Sequence, residues 1–148
     1  MTEPSIAQAV ERGLGVQWKG EEEIYPNHNT RILVFGPNFY QNKPEAAKRF
    51  MVGYLRGLRD YVNAFTRNTN RAEIVSILTK ATNVKDPVLY DKMAPLTVNP
   101  DGYVNAQSIA SDQDWYFSKG LMQQKVDLSR LVDNQYVDYA VERLGKYQ

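Results

Sequence analysis

The residue types that could do chemistry in this chain are few. His28 is the only histidine and there is no cysteine. A polyhistidine metal cluster, thiol catalysis, disulfides and zinc–thiolate sites are therefore excluded, and no tightly bound transition metal is expected. His28 sits in Tyr25-Pro26-Asn27-His28-Asn29, a run of turn formers that reads as a loop. A loop imidazole of this kind is exposed, and its ring nitrogens can reach a ligand. Carboxylates are plentiful, but Asp112, Asp114, Asp127, Asp133 and Asp138 fall where helix caps or solvated helix faces account for them. Glu21-Glu22-Glu23 reads as a solvated turn. Gly13-Leu14-Gly15 lacks the further glycine of a phosphate loop and follows a helix instead of preceding one. No nucleophile elbow is present. Asp112-Gln113-Asp114-Trp115-Tyr116-Phe117 is an aromatic cluster within a helix and reads as a core-facing stripe.

Length and composition set the frame for these groups. At 148 residues the chain is about one ordinary domain, long enough to bury a real core. It is 43% hydrophobic and 24% charged, which are globular values. The net charge is +1 with the two signs interspersed, so no basic stripe points to nucleic acid. No apolar run approaches the ~18 residues of a membrane span. The N-terminus shows no basic stretch followed by an apolar one, so no signal peptide is read there. The ten tyrosines are scattered and suit the rim of a core.

The elements that must position the candidate groups can be read from periodicity. From Lys43-Pro44 to Phe65, apolar residues at Ala47, Phe50/Met51, Tyr54, Leu58, Tyr61/Val62 and Phe65 form one stripe of a long helix. Pro44 suits its first turn, with Asn42 as the expected N-cap. Gly53 and Gly57, one turn apart, each cost about 1 kcal/mol in a helix interior and predict close approach by another element. Shorter helices are predicted from Ser5 to Gly13, Asn70 to Thr82, Asp86 to about Ala94, and Ala106 to about Lys119 behind Asn105. Two more follow Asp127 and Asp133. Val16-Gln17-Trp18 alternates like a half-buried strand, and Arg31-Ile32-Leu33-Val34-Phe35 is the best strand in the chain. The expected fold is therefore α+β and mostly helical, with about five or six helices and a small β element made by those two runs.

Several of these segments, in their order, resemble a known family. They are Glu3-Pro4, Ala9-Val10-Glu11-Arg12-Gly13, Tyr25-Pro26, Ile32-Leu33-Val34-Phe35 and Lys43-Pro44-Glu45-Ala46-Ala47-Lys48-Arg49-Phe50. Tyr54-Leu55-Arg56-Gly57, Val126-Asp127-Leu128 and the run from Asp133 to Leu144-Gly145 follow. Together they are similar to substrate-binding proteins of ABC transporters, in the nitrate/sulfonate/taurine branch that includes binders of the thiamine pyrimidine precursor. The resemblance covers nearly the whole chain and is to the C-terminal half of such a protein. It implies part of a type II periplasmic binding protein fold, with residues 1–28 as second-lobe remnant and hinge and residues 29–148 as a first-lobe-like helical part.

The function this resemblance implies is binding of a small solute for uptake, with an ABC permease as partner, a periplasmic location, no catalysis and no cofactor. Glu3, Tyr25, Asn27 and His28 are the implied ligand-side residues, offering hydrogen bonds and one aromatic wall. Two other classes stand beside it. One is an enzyme of thiamine-precursor synthesis, which would need a reactive cluster that the sequence lacks. The other is a dimeric interaction module that uses the orphaned strand from Arg31 to Phe35, or an exchanged N-terminal helix.

Overall fold

The computed structural model describes residues 1–148. Helices account for all of its regular structure: α1 (Ser5–Glu11), α2 (Glu21–Ile24), α3 (Pro37–Tyr40), α4 (Pro44–Thr66), α5 (Arg71–Ala81), α6 (Leu89–Lys92), α7 (Ala106–Ser118) and α8 (Gln135–Leu144), with a 3-10 turn at Leu128–Arg130. The helix periodicity after Asn42 is well matched by α4, α5, α7 and α8. Pro44 opens α4 as its spacing predicts. Lys43, not Asn42, occupies the N-cap position, and no side chain caps this end.

The core lies between α4 and α8. Ala47, Met51 and Leu55 line one face of α4 at four-residue steps. Tyr136, Val137, Ala140 and Val141 make the matching face of α8. Leu55 and Ala140 are fully enclosed. An aromatic layer seals the N-terminal end of α4, where the Phe35 ring lies 5.5 Å from Tyr136, 5.7 Å from Phe50 and 5.2 Å from Phe39. The Tyr136 hydroxyl donates to the Tyr40 carbonyl at 2.9 Å and so ties α3 to α8.

Close approach to α4 occurs at Gly102. A β-carbon there would stand 2.8 Å from Leu55 Cδ1, and its φ of +77° is one that L side chains rarely adopt. Gly53 and Gly57 have open space where a side chain would go, so the expected helix contact at that pair is not made. The loop that carries Gly102 is held by Arg59. Its guanidinium donates to Asp101 Oδ1 at 2.6 Å, to the Pro100 carbonyl at 3.2 Å and to the Gly145 carbonyl at 2.7 Å. Asp101 Oδ1 also accepts from the Tyr147 N–H at 2.9 Å. One charged pair thereby joins α4, the 100–102 turn and the C-terminal residues.

The expected β element is absent, and with it the α+β class and the partial type II periplasmic binding protein fold. The chain is all-helical, without a sheet. Val16-Gln17-Trp18 is irregular, with Val16 92% and Trp18 81% exposed. Arg31-Ile32-Leu33-Val34-Phe35 is irregular and pairs with nothing, and only Phe35 enters the core. The physical reason lies in what a strand needs. A two-stranded element is marginal in water without a third strand or a packed face. Here the helices already fill the core, so the apolar runs have no face left to cover. No helix is long and apolar enough to cross a membrane.

Candidate functional site

The segment from Gly20 to Asn29 becomes a site because its polar groups are spent on fixing its shape. α2 is a single exposed turn, and each of its three glutamates has a separate partner. Glu23 Oε1 accepts from the Gly20 N–H at 2.8 Å and closes the turn's N-terminus. Glu22 Oε1 accepts from the Asn27 N–H at 3.1 Å. Glu21 Oε1 lies 2.7 Å from His28 Nδ1. The triplet reads as a solvated turn in sequence; in space it folds the following loop back on itself. Asn27 takes a φ of +59°, which asparagine tolerates better than most residues.

His28 is held from both sides. Its Nε2 lies 2.9 Å from Asp112 Oδ2 on α7, opposite the Glu21 contact on Nδ1. The Tyr25 ring stacks on the imidazole with centroids 4.5 Å apart. The hydrogen bonds to Glu21 and then to Asp112 raise the His28 pKa above its ordinary 6.5. In the protonated form both ring N–H groups donate to carboxylates. An imidazolium so engaged has no lone pair with which to take a proton, so His28 in this state is a pin between α2 and α7 and not a general base. No group of three or more His, Asp or Glu side chains is arranged to hold a metal ion.

Asn29 and Asn105 complete the junction. The Asn29 side-chain amide donates to the Asn105 carbonyl at 2.6 Å and accepts from the Asn105 N–H at 3.3 Å, a reciprocal pair. Asn105 in turn donates from Nδ2 to the Asn27 carbonyl at 2.8 Å. Its Oδ1 accepts from the N–H groups of Gln107 and Ser108, the N-cap role that its place before Ala106 predicts. The Asn29 N–H donates to Ser108 Oγ at 3.0 Å.

This junction forms one wall of a cleft of about 550 Å³. Asn27, His28 and Asn29 face Met51, Tyr54 and Leu58 of α4, while Tyr103 and Asn134 line it further along. The size is that of a small-molecule site, and the lining residues are more often polar than apolar, which suits a polar solute. Asn134 stands at the N-cap position of α8 but makes no capping bond. Asp133 Oδ1 does that work instead, accepting from the Gln135 N–H at 2.9 Å. Asn134 Oδ1 is left shielded from solvent without a hydrogen-bond partner. Such an acceptor is costly to leave unmatched.

Of the four ligand-side residues expected from sequence, Asn27 and His28 line the cleft. Tyr25 lies behind His28, stacked on it. Glu3 is elsewhere. Its two carboxylate oxygens accept from the Ala7 and Ala94 N–H groups, each at 3.1 Å, and tie α1 to the end of α6. Sequence reading missed Asp112, which it assigned to a solvated helix face, and it missed Asn29, Asn105 and Asn134 as site residues. Asp112 lies 84 positions from His28, and no spacing rule joins such a pair. Comparison of the chain with protein-family models, with curated proteins and with solved structures gives no match.

Proposed function

We propose that this chain binds a small polar solute in the cleft between the 27–29 loop and α4. The observation that carries the proposal is a cleft of ligand size whose lining sets Asn27, His28 and Asn134 beside Met51, Tyr54, Leu58 and Tyr103. The solute bears polar groups that the Asn27, His28 and Asn134 side of the cleft can match, while Tyr54 and Tyr103 offer aromatic walls. Binding without chemistry agrees with the resemblance to nitrate/sulfonate/taurine-type binding proteins of ABC uptake systems. On that reading the solute is passed to a membrane permease, and the site of action is periplasmic. The helical cleft itself carries the proposal, which does not require a two-lobed α/β architecture.

A melting screen tests it. Candidate solutes are nitrate, small sulfonates including amino-sulfonates, and aminopyrimidines related to the thiamine precursor. A solute at a hundred times its Kd stabilises the folded state by about 2.7 kcal/mol. The expected outcome is a concentration-dependent rise in Tm for at least one of these solutes, diminished in Asn134→Leu, which alters the cleft lining, without loss of the unliganded fold. A rise that persists undiminished in Asn134→Leu would place binding elsewhere, and no rise with any of these solutes would contradict the proposal.

A further inference from the structure

The segment from Gly20 to Tyr25 is tied to the rest of the molecule at few points. α2 buries none of its residues, and Ile24 is 61% exposed. Glu22 and Glu23 spend their carboxylates locally, on the Asn27 and Gly20 N–H groups. What reaches outward is Glu21, through the His28 ring to Asp112 on α7, with contacts of 2.7 Å and 2.9 Å. These two contacts stand in series. Asn27 and Asn29, one on each side of His28, are fixed to Asn105 and Ser108 by groups that do not titrate. Glu22, next to Glu21, lines the cleft, so the segment forms part of its edge.

We propose that residues 20–26 are a proton-operated strap at the edge of the cleft, latched to α7 through Glu21, His28 and Asp112 while the ring is protonated and released when it is not. The number of ring donors decides the state. A protonated imidazole has two N–H groups, one for each carboxylate, and a neutral ring has one. In one tautomer Nδ1–H stays on Glu21, and the Nε2 lone pair faces the Asp112 oxygens at 2.9 Å and 3.2 Å. In the other Nε2–H stays on Asp112, and the Nδ1 lone pair faces Glu21 Oε1 at 2.7 Å. Two acceptors at such distances repel. Either tautomer therefore breaks one link of the series, and either break parts α2 from α7. The titratable groups against the ring are Glu21 from α2, Tyr25 from the loop and Asp112 from α7. Asp114, also on α7, is paired with Lys125. Arg31 and Asp133, further charged residues of the cleft, make no bond to the ring. Hydrogen bonds from Glu21 and then Asp112 raise the ring's pKa above 6.5, so release lies on the alkaline side of that value. Asn27 and Asn29 stay tied and act as the pivot. That this edge borders a binding site rests on the solute-binding reading, whereas the latch itself belongs to the unliganded protein.

Nuclear magnetic resonance on the unliganded protein tests it. His28 is the only histidine, so protein freed of any histidine tag shows one imidazole, whose titration is read directly. Backbone order parameters are then measured on both sides of its midpoint. The ring is expected to titrate above 6.5. Order parameters of residues 21–26 are expected to fall from about 0.85 on the acid side to below about 0.6 on the alkaline side, while α4 and α8 stay rigid. Asp112→Asn is the discriminating variant. A side-chain amide offers Oδ1 to a ring N–H or Nδ2 to a ring lone pair, so it pairs with either form of the ring. In this variant the strap is expected to stay ordered across the same range. Should the variant not fold, the wild-type series decides alone. A strap equally ordered on both sides of the midpoint, or already mobile on the acid side, would overturn the proposal. So would a midpoint at or below 6.5, or Asp112→Asn loosening as wild type does. An empty solute screen would not alter these outcomes, and a strap indifferent to pH would leave the solute-binding reading standing.

Discussion

Residues 44–148 and residues 1–36 of this chain are built on different physics. In the first region α4 and α8 bury Met51, Leu55, Val137 and Val141 against one another, and Arg59 braces the outside with bonds to Asp101 and to the Pro100, Leu144 and Gly145 carbonyls. In the second, Val16, Trp18 and Val34 stay in water, and the chain is held by separate polar pins. These are Glu3 on Ala94, Glu11 on Lys92, His28 on Asp112, and Asn29 on Asn105. Apolar burial is cooperative, because each side chain fills space left by its neighbours. Polar pins near the surface act more nearly one at a time, and exposed ion pairs among them contribute little. The cleft lies where the two regions meet. One wall is rigid helix and the other is a pinned loop, a common division between scaffold and binding loop.

The largest expected effect falls on the helical side of this contrast. Leu55→Ala removes a fully enclosed side chain and leaves a cavity beneath Gly102. A loss of about 2–5 kcal/mol in urea unfolding is expected, enough to unfold a marginal domain. A loss under about 1 kcal/mol would mean that the α4–α8 packing relaxes easily and that the contrast is overstated.

On the other side, Asn29→Ala removes both halves of the exchange with Asn105. About 1 kcal/mol is expected, and expressed locally. Protease cleavage within residues 14–29 is expected to quicken while the urea midpoint of the helical region barely moves. An equal shift in both measurements would show that the N-terminal residues unfold together with the core.

The smallest effect is the pH dependence of the His28 pin. Its pKa is raised in the folded protein, so the imidazolium adds stability that is fully present below the ordinary value of 6.5. That contribution is lost as pH rises through the elevated folded value. The stability gap between wild type and His28→Gln is therefore expected to be widest on the acid side and to narrow above pH 6.5. The groups that face the ring are Glu21, Asp112 and the stacked Tyr25 ring, so no nearby cation opposes this sign. A gap that widens with rising pH would contradict the pairing with both carboxylates.

What could be read from sequence follows the same division. α4, α5 and α8 were legible because their apolar residues are spaced as helix faces, helped at α4 by Pro44. α7 was legible because Asn105 caps it, whereas its Trp115-Tyr116-Phe117 run, expected to face the core, is exposed. These signals lie within a few residues of the structure they determine. The strand assignments failed because Val16-Gln17-Trp18 and Ile32-Leu33-Val34-Phe35 signal a wish for cover, and composition cannot say whether cover exists. Gly53 and Gly57 misled for a related reason. A glycine shows that a side chain is dispensable, and only the tertiary structure shows that Gly102 is where backbone meets Leu55. At the site, Asn27 and His28 were found as loop residues. Their partners Asp112 and Asn105 come from 76 or more positions away; the sequence marks Asn105 only as a helix cap, and nothing local marks either residue as a partner of the loop.

Amide hydrogen exchange tests the two-region account most directly. Protection near the global stability is expected for α4 and α8 amides at Met51, Leu55, Val137 and Val141, with nearly unprotected exchange at residues 15–19 and 31–35. Strong protection of Ile32, Leu33 and Val34 would reveal a backbone ladder at these residues, and would contradict the division between a packed helical region and a pinned, strandless N-terminal one.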